Sequence, residues 1–117
     1  MIKLYEVEYY GENNKYPVIE FISSQSPKEQ AKILREIDLL SEFGLSLGMP
    51  HIKKLQDTNL WELRIKHSSN IFRVFYFHFI EGKFILLHAI KKTTNKTPKK
   101  DINIAIKRKN KYLKGSE

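Results

Sequence analysis

Five side chains in this sequence have the types and spacing for work on a phosphate: Arg64, Arg73, His88, Lys91 and Lys92. A guanidinium fork matches two phosphate oxygens at once, an ammonium adds point charge, and an imidazole moves protons near neutral pH. Together they could bind a phosphodiester and stabilise the charge that builds on it during reaction, often the dominant contribution to catalysis. His88 is the candidate acid–base group, a role worth about 10²–10⁴-fold; its alternative is a structural ring packed against Phe75. His51, His67 and His78 form no metal-ligand set and read as surface or packing residues. With no cysteine in the chain, neither thiolate chemistry nor a disulfide framework is available. No metal and no cofactor is expected.

Strands must bring these residues together. Residues 60–66, 71–79 and 83–90 are rich in β-branched and aromatic side chains, and the short joints at Ser68-Ser69 and Glu81-Gly82 predict two hairpins. With those loops, Arg64 faces Arg73, Phe75 faces His88, and Arg73 faces Ile90. One side of the sheet then carries Trp61, Leu63, Ile65, Val74, Tyr76, Leu87 and Ala89 as a core face. The other carries Glu62, Arg64, Lys66, Arg73, Phe75, His88 and Lys92, while alternation sends Lys91 to the opposite side from Lys92. Two arginines opposed across strands repel unless an anion lies between them. That anion is either a bound phosphate or Glu62. A single bulge would shift the register by one residue and exchange the faces.

The remaining elements follow from periodicity. Residues 3–9 alternate, with Tyr5, Val7 and Tyr9 on one side and Glu6 and Glu8 on the other, and predict a strand broken at Gly11. Pro17 opens a short helix to about Ser24. Ser26-Pro27-Lys28-Glu29 is a capping box, followed by an apolar stripe of Ile33, Leu34, Ile37 and Leu40 that stops near Gly44. Thr97-Pro98 starts a last helix with Ile102, Ala105, Ile106 and Leu113 at helical spacing. Trp61 and the tyrosines at 5, 9 and 10 read as packing residues. The order β-α-α-β-β-β-α predicts an α+β fold: a small antiparallel sheet, N-terminal helices packed on one face, and a C-terminal helix. The cationic face is expected to be uncovered. A chain of 117 residues is expected to form one domain, 1–117.

Charge points to the partner. Twenty-one Lys and Arg against thirteen Asp and Glu leave a net charge of +8, which suits a polyanion, nucleic acid being the commonest. A lysine-rich proteome is the alternative source of such a balance. Before residue 50 acids and bases nearly balance, whereas between Lys91 and Lys114 cations recur with Asp101 as the only acid. No apolar run approaches the ~20 residues that cross a bilayer, and charges interrupt the first residues where a signal segment would need an apolar run. The expected location is the cytoplasm.

Four segments in order carry a family resemblance: Leu60-Trp61-Glu62-Leu63-Arg64-Ile65, Phe72-Arg73-Val74-Phe75-Tyr76, Leu87-His88-Ala89-Ile90-Lys91-Lys92-Thr93 and Lys96-Thr97-Pro98. They resemble the signature of phage-derived HigB-like toxins of the RelE/ParE superfamily. So do Pro17-Val18-Ile19-Glu20-Phe21-Ile22 and Gly48-Met49-Pro50-His51-Ile52-Lys53-Lys54-Leu55, and the similarity runs over essentially the whole chain. The resemblance implies a RelE-like fold and cleavage of messenger RNA, typically on the translating ribosome, so that translation is inhibited. It also implies neutralisation by a co-encoded helix-turn-helix antitoxin of HigA type, in a complex that can bind its own operator DNA. Carried over by position, Arg64, Arg73 and the pair Lys91-Lys92 fall where such toxins hold basic residues on the second, third and fourth strands. The chemistry needs no metal, because RNA brings its own nucleophile in the 2′-OH. Lys53, Lys54, Lys66, Lys96, Lys99 and Lys100 then become contacts to the RNA backbone, with a solvated charge run as the alternative. The sequence departs from relatives whose flexible tail supplies a tyrosine as general base: residues 102–106 are apolar here and Tyr112 lies near the chain end. The superfamily also contains toxins that bind DNA gyrase and cut nothing. A ParE-like inhibitor, or a degenerate toxin that only binds its antitoxin, is therefore the alternative function.

Overall fold

The computed structural model describes residues 4–48, 50–94 and 96–115. Lys3, where the first strand is expected to begin, and Met49 lie outside the described residues. The elements run β1 (Glu6–Tyr9), α1 (Pro17–Ser23), α2 (Pro27–Phe43), a single 3₁₀ turn (Gly44–Leu47), β2 (Ile52–Lys54), β3 (Trp61–His67), β4 (Asn70–Ile80), β5 (Lys83–Lys92) and α3 (Lys99–Gly115). The α+β class expected from the sequence is the class observed, with five strands and three α-helices among the described residues.

Local chemistry explains the helices. Pro17 and Pro27 sit in the first turns of α1 and α2. The Ser26 hydroxyl accepts from the Glu29 N–H at 3.2 Å while the Glu29 carboxylate accepts from the Ser26 N–H at 3.1 Å, the reciprocal bonds of a capping box. Of the expected stripe, Ile33, Ile37 and Leu40 are buried but Leu34 is exposed, because the stripe that meets the sheet is narrower than the run of apolar residues. The helix ends at Gly44 with φ +57°, and a Cβ there would lie 2.5 Å from ring carbons of Tyr5. Ser41 and Tyr5 exchange two hydrogen bonds at the same place, which ties the approach to β1 onto α2.

The sheet order is β1-β5-β4-β3-β2. Both predicted hairpins form, and Arg64 pairs with Arg73 as expected. Three features differ from the expectation. First, β1 lies parallel to β5 and not antiparallel to a neighbour, because α1 and α2 carry the chain across the sheet from one edge to the other. Second, a three-residue edge strand, β2, pairs with β3; three residues are too few to show a period. Third, the register of β4 with β5 slips by one after Phe75↔His88, so that Tyr76 faces Leu86. The bulge moves Leu87 off the expected core face and onto the other side, with Phe75 and Ile85.

Two cores result. Val18, Ile22, Ile33, Ile37 and Leu40 of the first two helices pack on Leu63, Ile65, Phe72, Val74, Tyr76 and Phe84. On the opposite face Ala105, Ile102, Ile106 and Leu113 of α3 pack on Phe75, Phe77, Ile85, Leu87 and Ile90. The expectation of an open cationic face is therefore corrected over much of its area: α3 covers it, because β4 is apolar on both sides and needs a second layer. Phe75 tests this directly. On an open face Phe75→Ala would shift stability by under about 0.5 kcal/mol, whereas burial beneath α3 is expected to make it cost about 3–5 kcal/mol in urea unfolding.

Candidate functional site

The side of the sheet that faces α3 reads as three rows. Lys53, Glu62, Phe75 and His88 form the first, Arg64, Arg73 and Ile90 the second, and Lys66, Ile71 and Lys92 the third. The Phe75 and Ile90 end of this surface lies in the α3 core. Lys53, Lys66 and Lys92 are exposed, and Arg64 is partly so.

At the centre is a buried anion. Glu62 and Arg73 are both 0 % exposed. One Glu62 oxygen accepts from Arg64 Nε at 2.7 Å and lies 3.6 Å from Arg73 Nε; the other accepts from the Thr97 hydroxyl at 2.7 Å. Arg73 in turn donates one Nη to Thr97 Oγ1 at 2.9 Å and the other to the backbone carbonyl of Thr94. Of the two anions the sequence allowed between the opposed arginines, the structure supplies Glu62. Burial pushes the Arg73 guanidinium below its ordinary range and the Glu62 carboxylate opposes the shift. Arg73 thus holds a strap at Thr94 and Thr97, while Arg64, from the same row, lines an open groove.

His88 is also built in. Its ring stacks on Phe75 with centroids 5.7 Å apart and planes 18° from parallel. Nε2 lies 2.8 Å from Asp101 Oδ1, and Nδ1 lies 3.1 Å from Arg108 Nη1, which also donates to the Leu87 carbonyl at 3.0 Å. An arginine can only donate, so Nδ1 accepts and the single proton sits on Nε2, shared with Asp101. The ring is a neutral latch between β5 and α3 with both nitrogens engaged. Burial pushes its pKa down, helped by Arg108, while Asp101 pulls the other way.

The other expected cations divide. Lys53, Arg64 and Lys66 line one groove together with Lys32, and Lys92 lies across Ile71 from Lys66. Lys91 points to the α1 side, its Nζ 5.9 Å from the centre of the Phe72 ring, as alternation requires. Lys54 lines a different hollow, with Lys109 and His78. Lys96, Lys99 and Lys100 are exposed beside the strap and on the first turn of α3. Tyr112 packs edge-on to Phe77 and Phe79. Asp101 and Arg108 escaped sequence reasoning, although Asp101 is conspicuous as the lone acid in its basic segment. No helix among the described residues is long and apolar enough to cross a membrane.

A family model described as Phage derived protein Gp49-like (DUF891) matches residues 20–110, from α1 well into α3. No curated protein matches the chain.

Two outcomes follow from this geometry. Glu62→Ala strands the Arg73 guanidinium in the interior and is expected to cost about 3–5 kcal/mol in urea unfolding; a loss below about 1 kcal/mol would mean that water reaches Arg73. The folded chain binds the His88 proton less readily than the unfolded chain, so the stability this site contributes is present above the ordinary value of 6.5 and is lost as pH falls below it. Melting temperatures taken from about pH 7.5 down to 5.5 are expected to fall less steeply for His88→Gln than for the wild type.

Proposed function

The chain belongs to the Gp49-like family of phage-derived proteins, and from that membership and its cationic sheet end we propose that it is the toxin of a type II toxin–antitoxin pair, a HigB-like endoribonuclease that cuts messenger RNA on the ribosome. The observation that carries the reading is the convergence of Lys53, Arg64 and Lys66 on one groove, with Lys92 in the same row as Lys66. An inhibitor that only binds a protein needs no such convergence, whereas a phosphodiester in reaction gains most from cations fixed before it arrives. Arg64 and the lysines stabilise the phosphorane, and Arg73 acts one step removed by holding the strap and sharing Glu62 with Arg64. The 2′-OH of RNA is the nucleophile, so no cofactor or metal is required. Lys96, next to Thr97, and Lys99 and Lys100, on the first turn of α3, supply further contacts to ribosomal or messenger RNA backbone. The antitoxin is a helix-turn-helix protein whose acidic segment covers the cationic end, and the complex of the two binds operator DNA.

The test is induced expression of the wild type beside a Lys66→Ala, Lys92→Ala double variant, both positions being exposed, with growth followed and messenger RNA 5′ ends mapped. The wild type is expected to arrest growth with new cuts inside coding regions, and the double variant to lose most of both. Arrest without cuts would transfer the reading to gyrase inhibition, and no arrest to a chain that only binds its antitoxin.

A further inference from the structure

The groove between α2 and the open end of β3, a cavity of about 440 Å³, holds a carboxylate and an imidazole to which neither the fold nor the ribonuclease reading gives any work. Its charged lining is Lys32 and Glu36 from α2, His51 just before β2, Lys53 from β2, and Arg64 and Lys66 from β3. Glu36 is only 7 % exposed. Its Oε1 lies 3.5 Å from Lys32 Nζ. Its Oε2 is buried and has no hydrogen-bond partner among the described residues, yet lies 3.8 Å from His51 Nδ1. The backbone of His51 is fixed where it matters, since its carbonyl accepts from the Arg64 N–H at 2.8 Å. Its side chain is 45 % exposed.

A buried carboxylate oxygen without a donor is an unsatisfied acceptor that any nearby N–H will fill. Lys32 stands at Oε1, and the donor that faces Oε2 is the His51 ring, where a side-chain shift of about 1 Å closes the gap to an ordinary hydrogen bond. Such contacts are commonly long before substrate arrives. Once Glu36 accepts a hydrogen bond from Nδ1–H, the proton stays on Nδ1 and the lone pair of Nε2 is left free on the ring's opposite edge, away from the carboxylate. This is the division of labour between a buried acid and an imidazole base. His88 is the converse case: its acid holds Nε2 and an arginine occupies Nδ1. A second feature points the same way. Glu36 sits three residues after Ile33 and four before Leu40, within the stripe that faces the protein, where an acid is costly unless it is used.

We infer that this groove seats the scissile phosphodiester of single-stranded RNA, with His51 as the proton-transfer group and Glu36 as its positioning residue. The inference rests on the ribonuclease reading. His51 Nε2 takes the proton of the 2′-OH, and the 2′-oxygen bonds to phosphorus. The bond from phosphorus to the 5′-oxygen breaks, its electron pair leaving on that oxygen, which takes a proton from water as the imidazolium returns its own to solvent. The products are a 2′,3′-cyclic phosphate and a 5′-hydroxyl end, with no change of oxidation state. Lys53, Arg64 and Lys66 stabilise the charge on phosphorus.

Steady-state cleavage of messenger RNA on programmed ribosomes, measured against pH and substrate concentration, tests the assignment. His51→Ala is expected to slow cleavage by about 10²–10⁴-fold, to leave KM unchanged, to lose the fall in rate on the acid side, and to be partly rescued by added imidazole. Glu36→Gln is expected to lower kcat about tenfold or more at constant KM, and His88→Gln to leave kcat within about threefold once the protein is folded. Wild-type cleavage matched by His51→Ala, with the acid limb intact, overturns the assignment and leaves the ribonuclease reading standing. A wild type that cuts no RNA overturns both. Melting curves accompany each variant, and His51→Asn repeats the measurement if His51→Ala fails to fold.

Discussion

The Glu62 carboxylate is the interaction on which the cationic half of the molecule depends. Two arginines stand directly opposite each other on neighbouring strands, one of them sealed from water. Without a counter-charge at their side the pairing of β3 with β4 would bring like charges together in a low-dielectric space. Glu62 removes that conflict by accepting from Arg64 and lying beside Arg73. Through Thr97 it extends the network to the segment that leads into α3. The same carboxylate therefore sets the strand pair, the strap and the orientation of Arg64.

Much of this was legible in the sequence. Two short loops between apolar runs fix the facing residues, so the Arg64–Arg73 pair and the Phe75–His88 pair follow from local chemistry alone, and Glu62 stood as one of two anions able to reconcile the arginines. What escaped was non-local. The parallel partner of β1 lies far along the chain, and nothing within residues 6–9 names it. The position of α3 follows from the two apolar faces of β4, a signal present in the run from Ile71 to Phe77, broken only by Arg73, but indistinguishable there from a single buried face plus spare hydrophobes. The bulge at Leu87 exchanges the faces of Phe84 to Leu87 without leaving a glycine or proline to mark it.

The histidines show how far burial redirects chemistry. From residue types alone His88 is the better acid–base candidate, placed on a strand among cations. The structure surrounds it with Phe75, Asp101 and Arg108 and commits both nitrogens to packing α3. His51, unremarkable in sequence, sits partly exposed beside a carboxylate whose second oxygen has no hydrogen-bond partner among the described residues. The distinction lies in Glu36, an acid on an apolar stripe, and its meaning depends on which loop folds over that stripe.

The parallel pairing of β1 with β5 also bears on how the chain comes into being during synthesis. Elements fold largely in the order they emerge, but β1 has no neighbour in the sheet until residues 83–86 have been made. The strap residues that receive Arg73 come later still. Once β4 is made, a nascent chain therefore carries its opposed arginines without the groups that receive Arg73, and the cationic end acquires its final arrangement only when Thr94 and Thr97 have followed. Order at the opposed arginines is thereby tied to residues made after the strands that carry them, so the pair and its final partners do not form together.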